Sequence, residues 1–312
     1  MGENSSFQGL IIVPVPCSKT KYYVFSVSRG NLKGYRYHLV NLDDNNDGYY
    51  DRFLEKGTVV SANNLMPRGS SVFSEKLTAI KKDNSEEYWL ITQETKGVNR
   101  FYVHQVTQNG VFFHSAQSVG PLLDNIGYIK VNQQHDLLAV SSISNGRHLL
   151  NGICLYDFDN QTGIISSPSI IESDQGIGGI EFSENGLFLY GAQRPAGISN
   201  IDIYQYDVNL INPRNTIASV LNSTVPYIGM TISPKLDEIF VPVPGKPQSM
   251  GVITNINSSS PGYNIVTFDR KHNAQMGMPN FVSGVVKDKC DLNFKRVYRN
   301  ADGIFTKPVI DE

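Results

Sequence analysis

Residues 178–193 read GGIEFSENGLFLYGAQ, two short apolar segments separated by the polar turn SENG. Apolar and aromatic residues resume directly after the turn, which is typical of a β-hairpin. The same pattern recurs at residues 75–93, 127–142 and 228–243. We therefore interpret this hairpin as one unit of an internal repeat.

Alignment of the four hairpins places Thr78, Lys130, Glu181 and Thr231 at equivalent positions, with spacings of 52, 51 and 50 residues. Each hairpin is followed by two further strand-like segments that are joined by Gly, Asn and Asp turns. Four strands in a repeat of this length are typical of one blade of a β-propeller. No segment of useful length shows the 3.6-residue periodicity of a helix. The sequence therefore predicts an all-β protein.

The repeats also predict a number of blades. An earlier unit aligns Ile12 with Thr78 and carries an inserted loop, and a further repeat begins near Phe281. We expect one β-propeller domain over residues 1–312, with five full four-stranded repeats, one partial repeat and a six- or seven-bladed ring. The blades are expected at residues 9–62, 75–118, 126–173, 177–222 and 227–269, with a partial blade at 280–312 that residues 1–8 complete. Alternatively, the chain is cut from a longer one and its ring is incomplete.

Charge and composition exclude several classes of partner. The formal net charge is −2 and the isoelectric point is near 6.3, which argues against nucleic-acid binding and against a polybasic membrane surface. No apolar run approaches the ~20 residues that a membrane-spanning helix needs. The first residues, MGENSSFQG, have no signal-peptide character. The three cysteines are too widely spaced to indicate a zinc site.

Loops on one rim of the predicted propeller are candidates for ligand recognition. Residues 93–100, 142–149 and 193–200 are rich in Gly, Ser, Asn and Arg, as adaptable binding surfaces are. Ordinary solvated loops have the same composition. Lys130 and Glu181 occupy equivalent positions in adjacent blades, so they either pair across the channel or anchor a small ligand. The predicted ligand-binding residues are Tyr128, Lys130, Arg147, Glu181, Arg194 and Tyr227.

The inserted loop reads DDNNDGYYD at residues 43–51 and predicts a structural calcium site. Calcium binds six to eight oxygen ligands, and Gly48 permits the sharp turn that would gather them. The spacing also resembles the β-hairpin calcium loops of integrin α-subunit propellers. An Asx-rich turn that needs no ion is the alternative. The predicted ligands are the side chains of Asp43, Asn45, Asp47 and Asp51 and the carbonyl of Tyr49.

Catalytic motifs are absent: the chain contains no GxSxG, P-loop, HExxH or GxGxxG pattern. A lactonase- or lyase-like hydrolytic enzyme at the central channel mouth is the alternative function, because some seven-bladed propellers are lactonases. Its candidate residues would be Glu75, Arg147, Glu181 and Arg194. His104 and His114 are expected to face outward from one blade.

Several segments together resemble a known family. FQGLIIVPVP, GYRYHLVNL, ICLYDFDNQTGIISSP and GGIEFSENGLFLYGAQ occur in this order within residues 7–285. They resemble the WD40-like propeller region of large Bacteroidetes surface proteins of the gliding-motility-associated type. The resemblance implies a secreted or cell-surface, adhesin-like module that binds a protein or a glycan without catalytic residues. This non-enzymatic function is our first expectation from the sequence.

Overall fold

The computed structural model describes residues 8–27, 34–43, 57–67, 73–94, 97–144, 148–173, 175–193, 200–210, 214–220, 228–243, 248–267, 278 and 280–283. In this part of the chain every regular element is a β-strand. No helix in these ranges is long and apolar enough to cross a membrane.

The strands form five four-stranded antiparallel sheets, and each sheet follows the order of the chain. Every sheet is one blade, with its first strand innermost. Blade 1 consists of β1 (Leu10–Pro14), β2 (Lys21–Val27), β3 (Tyr35–Asn41) and β4 (Thr58–Leu65). Blade 2 consists of β5 (Phe73–Lys81), β6 (Tyr88–Glu94), β7 (Val98–Thr107) and β8 (Gly110–Leu123).

The three later blades repeat this arrangement. Blade 3 consists of β9 (Ile129–Val131), β10 (Leu137–Ser142), β11 (Gly152–Asp159) and β12 (Ile164–Glu172). Blade 4 consists of β13 (Ile177–Phe182), β14 (Phe188–Gln193), β15 (Ile201–Asp207) and β16 (Arg214–Val220). Blade 5 consists of β17 (Thr231–Ile232), β18 (Ile239–Pro242), β19 (Ser249–Thr254) and β20 (Gly262–Thr267). The all-β fold and its five full blades are confirmed.

Successive side chains of a strand point to opposite faces, so blades 2, 3 and 4 each pack against both of their neighbours. Trp89 and Ile91 of β6 join the apolar cluster between blades 2 and 3, whereas Tyr88 and Leu90 join the cluster between blades 1 and 2. Two further clusters fill the interfaces between blades 3 and 4 and between blades 4 and 5. The fifth position of the ring, between blades 5 and 1, we call the seam.

Turns at one end of the blades are fixed by a polar residue that directly follows the innermost strand. The side chain of Asn132 accepts hydrogen bonds from the backbone N–H groups of Asp136 and Leu137 at 3.1 and 3.0 Å. Ser183 and Ser233 act similarly in the next two blades. We call the end that carries turns 132–136, 183–187 and 233–238 the lower rim. Because the strands are antiparallel, the ends of β6, β10 and β14, at Glu94, Ser142 and Gln193, lie at the opposite, upper rim.

Two terminal segments bind the inner edges of blades 2 and 3. The side-chain carbonyl of Gln8 accepts hydrogen bonds from the N–H of Ile129 at 2.8 Å and of Leu77 at 3.4 Å. Ser283 forms a parallel bridge with Ile80, and its hydroxyl donates to the carbonyl of Val131 at 3.1 Å. These contacts satisfy backbone groups of otherwise unpaired strand edges. The predicted partial sixth blade is not confirmed, because the described residues contain no strand after β20.

Candidate functional site

The innermost strands present one side chain of each repeat at a common register. Lys130 pairs with Ala139 of its neighbouring strand, and Glu181 pairs with Tyr190. Nζ of Lys130 lies 2.8 Å from Oε2 of Glu181, and the two residues are only 3% and 4% exposed. The structure therefore brings together two of the predicted ligand-binding residues as a buried ion pair between blades 3 and 4.

Backbone donors hold the Glu181 carboxylate in place. The N–H of Ile232, on the innermost strand of blade 5, donates to Oε2 at 3.2 Å. The N–H of Phe182 donates to Oε1 at 3.3 Å. Buried charges of opposite sign are stable when they are paired and hydrogen-bonded, and Glu181 meets both conditions. Its carboxylate is thus oriented by groups from three consecutive blades.

A cavity of about 260 Å³ lies beside this ion pair, at the lower end of the seam. Blades 1 and 5 and the segment 281–283 form most of its wall. The described lining residues are Ile12, Pro14, Tyr22, Lys130, Gln133, Glu181, Thr231, Ile232, Ser233, Pro234, Leu236, Phe281, Val282 and Ser283. Lys130 and Glu181 carry the charges of this set. The cavity is therefore an apolar space with one ion pair on its wall, as is common for small-molecule sites.

Thr231 continues the same register into blade 5. It is 3% exposed, lines the cavity and pairs with Phe240 in the sheet. Its hydroxyl oxygen has no hydrogen-bond partner among the described residues. A cation, an anion and a hydroxyl from consecutive blades thus lie at one level of the channel.

Tyr128 lies in the interior above Lys130 and extends from blade 3 towards Gly229, just before blade 5. This residue is 1% exposed, and its hydroxyl lies where a side chain of Gly229 would begin. Burial raises the pKa of Tyr128 far above its usual value, and the backbone of Met278 donates a hydrogen bond to it. Tyr128, a predicted ligand anchor, is therefore an interior residue that contacts the chain next to blade 5.

Other predicted site residues are not brought to this cavity by the described part of the structure. Arg147, Arg194 and Tyr227 lie outside the described residues, as do Asn45, Asp47, Tyr49 and Asp51 of the predicted calcium loop. Asp43, the first residue of that loop, is buried, and its backbone exchanges hydrogen bonds with the side chain of Asn41. Glu75, a candidate of the alternative enzyme, is also buried, at the upper end of β5.

Lys76, the neighbour of Glu75, is a further buried charge that the motifs and spacings of the sequence did not single out. Its side chain is fully buried, and Nζ donates to Oε1 of Gln93 at 2.8 Å and to the carbonyl of Asp124. Burial lowers the pKa of Lys76 to about 7, against the attraction of Asp124 and Glu75. The repeat alignment contained a signal for Lys76. It lies two residues before Thr78, just as Tyr128, a predicted site residue, lies two residues before Lys130.

The expectation that both histidines of blade 2 face outward is wrong for His104. His114 is exposed on the outer strand, but His104 is fully buried and bonds through Nε2 to the carbonyl of Pro67 at 2.9 Å. Burial lowers the pKa of His104 to about 4. The physical reason is alternation: His104 shares its face of β7 with Tyr102 and Val106, which pack against blade 1.

Comparison with known proteins gives structural neighbours only. No family model and no curated protein matches the chain. Among solved structures, a candidate 6-phosphogluconolactonase from Bacteroides fragilis is 10% identical, with a TM-score of 0.48 over 86% of this chain and 71% of that one. A second candidate 6-phosphogluconolactonase, from Bacteroides uniformis, is 12% identical, with a TM-score of 0.47 over 82% and 69%. A Lactobacillus plantarum protein is 13% identical, with a TM-score of 0.48 over 82% and 69%.

These observations correct the expectation of a non-enzymatic, adhesin-like module that binds through the upper-rim loops. The cavity with its buried ion pair lies at the lower rim, and its described lining includes no residue from the upper ends of β6, β10 and β14, where those loops begin. Similarity this distant carries no argument about chemistry, so the chemistry has to come from the cavity itself. The chain is a β-propeller of five four-stranded blades.

Proposed function

We propose that the chain is a lactonase-like hydrolase whose substrate, a small neutral ester or lactone, binds in the lower-rim cavity. One observation carries this proposal: the buried pair of Lys130 and Glu181 lies on the wall of a cavity that is otherwise mostly apolar. An apolar wall keeps bulk water away from the bound ester, while a single water molecule at Glu181 remains as the reactant, and it strengthens the field of the two charges. The same wall favours an uncharged substrate.

The two charges suit the two needs of ester hydrolysis. Glu181 would act as the general base and take a proton from water, whose oxygen then attacks the carbonyl carbon. The ammonium group of Lys130 would stabilise the oxyanion that forms. The ring C–O bond then breaks, and the leaving oxygen takes the proton back from Glu181. The product is the open-chain hydroxy acid.

A sugar phosphate fits the cavity less well than a neutral lactone. A phosphate group needs cations that are free to pair with it, as a rule arginine or lysine. Among the described lining residues Lys130 is the cation, and the carboxylate of Glu181, 2.8 Å from it, would repel a phosphate dianion. We therefore do not propose a phosphorylated lactone, which the names of two structural neighbours suggest, as the substrate of this chain.

Hydrolysis of simple γ-lactones by the purified protein, followed by acid release at constant pH, tests the proposal. Glu181→Gln removes the base and should lower kcat by about 10²- to 10⁴-fold. The matched control is Glu86→Gln, since Glu86 is an exposed carboxylate in a lower-rim turn. Thermal melts of both variants establish that they fold. The proposal is overturned if the folded parent opens no lactone, or if Glu181→Gln opens lactones at the parental rate.

Calcium binding and location outside the cell stay predictions, as does the kinship with WD40-like surface propellers. We propose that residues 43–51 bind a structural calcium ion, on the strength of the acidic spacing in the sequence. Thermal melts in excess chelator and across a calcium series test it. A rise in Tm that Asp47→Ala abolishes supports the site, and no shift at millimolar calcium refutes it.

A further inference from the structure

The cavity continues into an apolar strip. Leu10, Ile12 and Pro14 share one face of β1, and both Ile12 and Pro14 line the cavity. Ile12 is 50% exposed and Leu10 is 47% exposed, although both lie on an innermost strand. Phe281, another lining residue, is 49% exposed. We call Leu10, Ile12 and Phe281 the seam strip.

The seam strip is unusual within this ring. Innermost strands of the other blades bury the equivalent positions, as Thr78 and Thr231 show. Apolar side chains that line a cavity and are left half exposed are characteristic of ligand-binding grooves. The strip leads from the ion pair along blade 1, so a ligand held at Lys130 and Glu181 can lay an apolar tail on it.

Cavity size limits what the enclosed part can hold. A cavity of 150 Å³ accommodates benzene, so the 260 Å³ observed here corresponds to about ten non-hydrogen atoms. A five-membered lactone ring with its carbonyl oxygen uses about six of these on the same scale. The remaining space accommodates about four carbons of a side chain. Longer chains would extend onto the seam strip.

We infer that the substrate is a lactone or ester that carries an unbranched alkyl chain of medium length, with the carbonyl at the Lys130–Glu181 pair and the chain along Ile12 and Phe281. This inference rests on the proposed function for its reacting group. It adds the chemical class of the rest of the substrate, and it follows from the apolar strip and the cavity volume.

A chain-length series provides the first test. The probes are γ-butyrolactone, γ-octalactone and γ-dodecalactone. Each buried methylene should raise kcat/KM about fourfold until the cavity is filled, because burial of one CH₂ contributes about 0.8 kcal/mol. Further carbons should contribute less. A flat or falling dependence on chain length overturns the inference while it leaves the proposed hydrolysis intact.

Variants of the seam strip connect the effect to its residues. Ile12→Ser and Phe281→Ser should lower kcat/KM for γ-dodecalactone at least tenfold more than for γ-butyrolactone. Phe112→Ser is the matched control, since Phe112 is 51% exposed on the outer strand of blade 2 and distant from the cavity. It should preserve the parental selectivity. Equal losses on both substrates in the strip variants contradict the inference.

Binding of unreactive analogues separates this inference from the proposed chemistry. The γ-lactams with the same alkyl chains resist hydrolysis, and their Kd is measured by calorimetry. Affinity that increases with chain length in the parent but not in Phe281→Ser supports an alkyl-bearing ligand, even if no lactone is hydrolysed. Such affinity without any lactone hydrolysis would overturn the proposed hydrolase function and leave the inference about the alkyl chain intact. Lactam affinity that is independent of chain length overturns the inference.

Discussion

Nζ of Lys130 lies 2.8 Å from Oε2 of Glu181, and this ion pair joins the same repeat position of two consecutive blades. The two residues are 51 positions apart in the chain, which is one repeat length. Neither residue would be stable alone in this interior, because an unpaired buried charge loses its hydration without compensation. The repeat thus places two complementary charges at one level of the channel.

Removal of one partner of the Lys130–Glu181 pair should lower the stability of the protein more than removal of both. Lys130→Met or Glu181→Leu leaves an uncompensated buried charge, for which we expect a loss of about 3–5 kcal/mol in the free energy of unfolding. The double variant should lie close to the parent, since two apolar side chains replace a desolvated pair. Urea denaturation of the three variants measures this.

An exposed ion pair serves as the control for that experiment. Arg100 and Glu94 lie 3.0 Å apart, and the Arg100 side chain is 45% exposed. Arg100→Met should therefore change stability little. If both single variants at Lys130 and Glu181 are as stable as Arg100→Met, breaking the buried pair does not destabilise the fold and our expectation is wrong.

Acid should destabilise the protein through His104. Burial lowers the pKa of His104 to about 4, whereas an unfolded histidine titrates near 6.5. The unfolded chain therefore binds more protons between these values, and stability falls as the pH decreases from about 6.5 to about 4. His104→Phe should remove up to about 3 kcal/mol of that fall.

Denaturation curves at pH 7, 5.5 and 4.5 follow the effect of His104. The variant His114→Gln, which changes an exposed histidine of the same blade, should keep the parental decline. A parallel decline in the parent and in His104→Phe would show that other groups account for the acid sensitivity.

Alkaline conditions should stabilise the protein through Lys76. Its pKa is lowered to about 7 in the folded state, and an unfolded lysine titrates near 10.4. Between these values the unfolded state binds more protons, so the free energy of unfolding rises with pH, by up to several kcal/mol. Lys76→Met should abolish the rise, as measured by urea denaturation from pH 7 to 9.5.

Lys21→Met, on the exposed end of β2, is the matched control for Lys76. We expect it to retain the parental increase. A Lys76→Met variant whose stability still rises with pH would refute the assignment of this dependence to Lys76.

Gly229 should tolerate no side chain while the Tyr128 hydroxyl group lies beside it. A Cβ atom at Gly229 would lie 2.2 Å from the hydroxyl oxygen of Tyr128. Gly229→Ala should therefore lower stability by about 1–3 kcal/mol, as overpacking of an interior does. In a Tyr128→Phe background the same substitution should be less harmful, because the clashing oxygen is absent. Equal losses in both backgrounds would exclude this contact as the cause.

Alternation of apolar and polar residues within a repeat is local information, and it was sufficient to predict strands, turns and blades. The spacing of Thr78, Lys130, Glu181 and Thr231 also identified which residues share a level of the channel. The same alternation could have predicted the burial of His104 between Tyr102 and Val106. These features follow from the chain itself because a strand has a period of two residues and a blade has a fixed number of strands.

Long-range packing decided the features that no local sequence pattern reports. The ring brings blade 5 next to blade 1, and no local pattern reports whether that interface is filled or contains a cavity. Tyr128 is buried rather than on the surface because Gly229, 101 residues away in the chain, leaves space for its hydroxyl group. The sequence by itself determined the blades and the level of the charged residues. Only the tertiary structure decided that Lys130 and Glu181 pair beside an apolar cavity, because that depends on how distant blades fill the space around the axis.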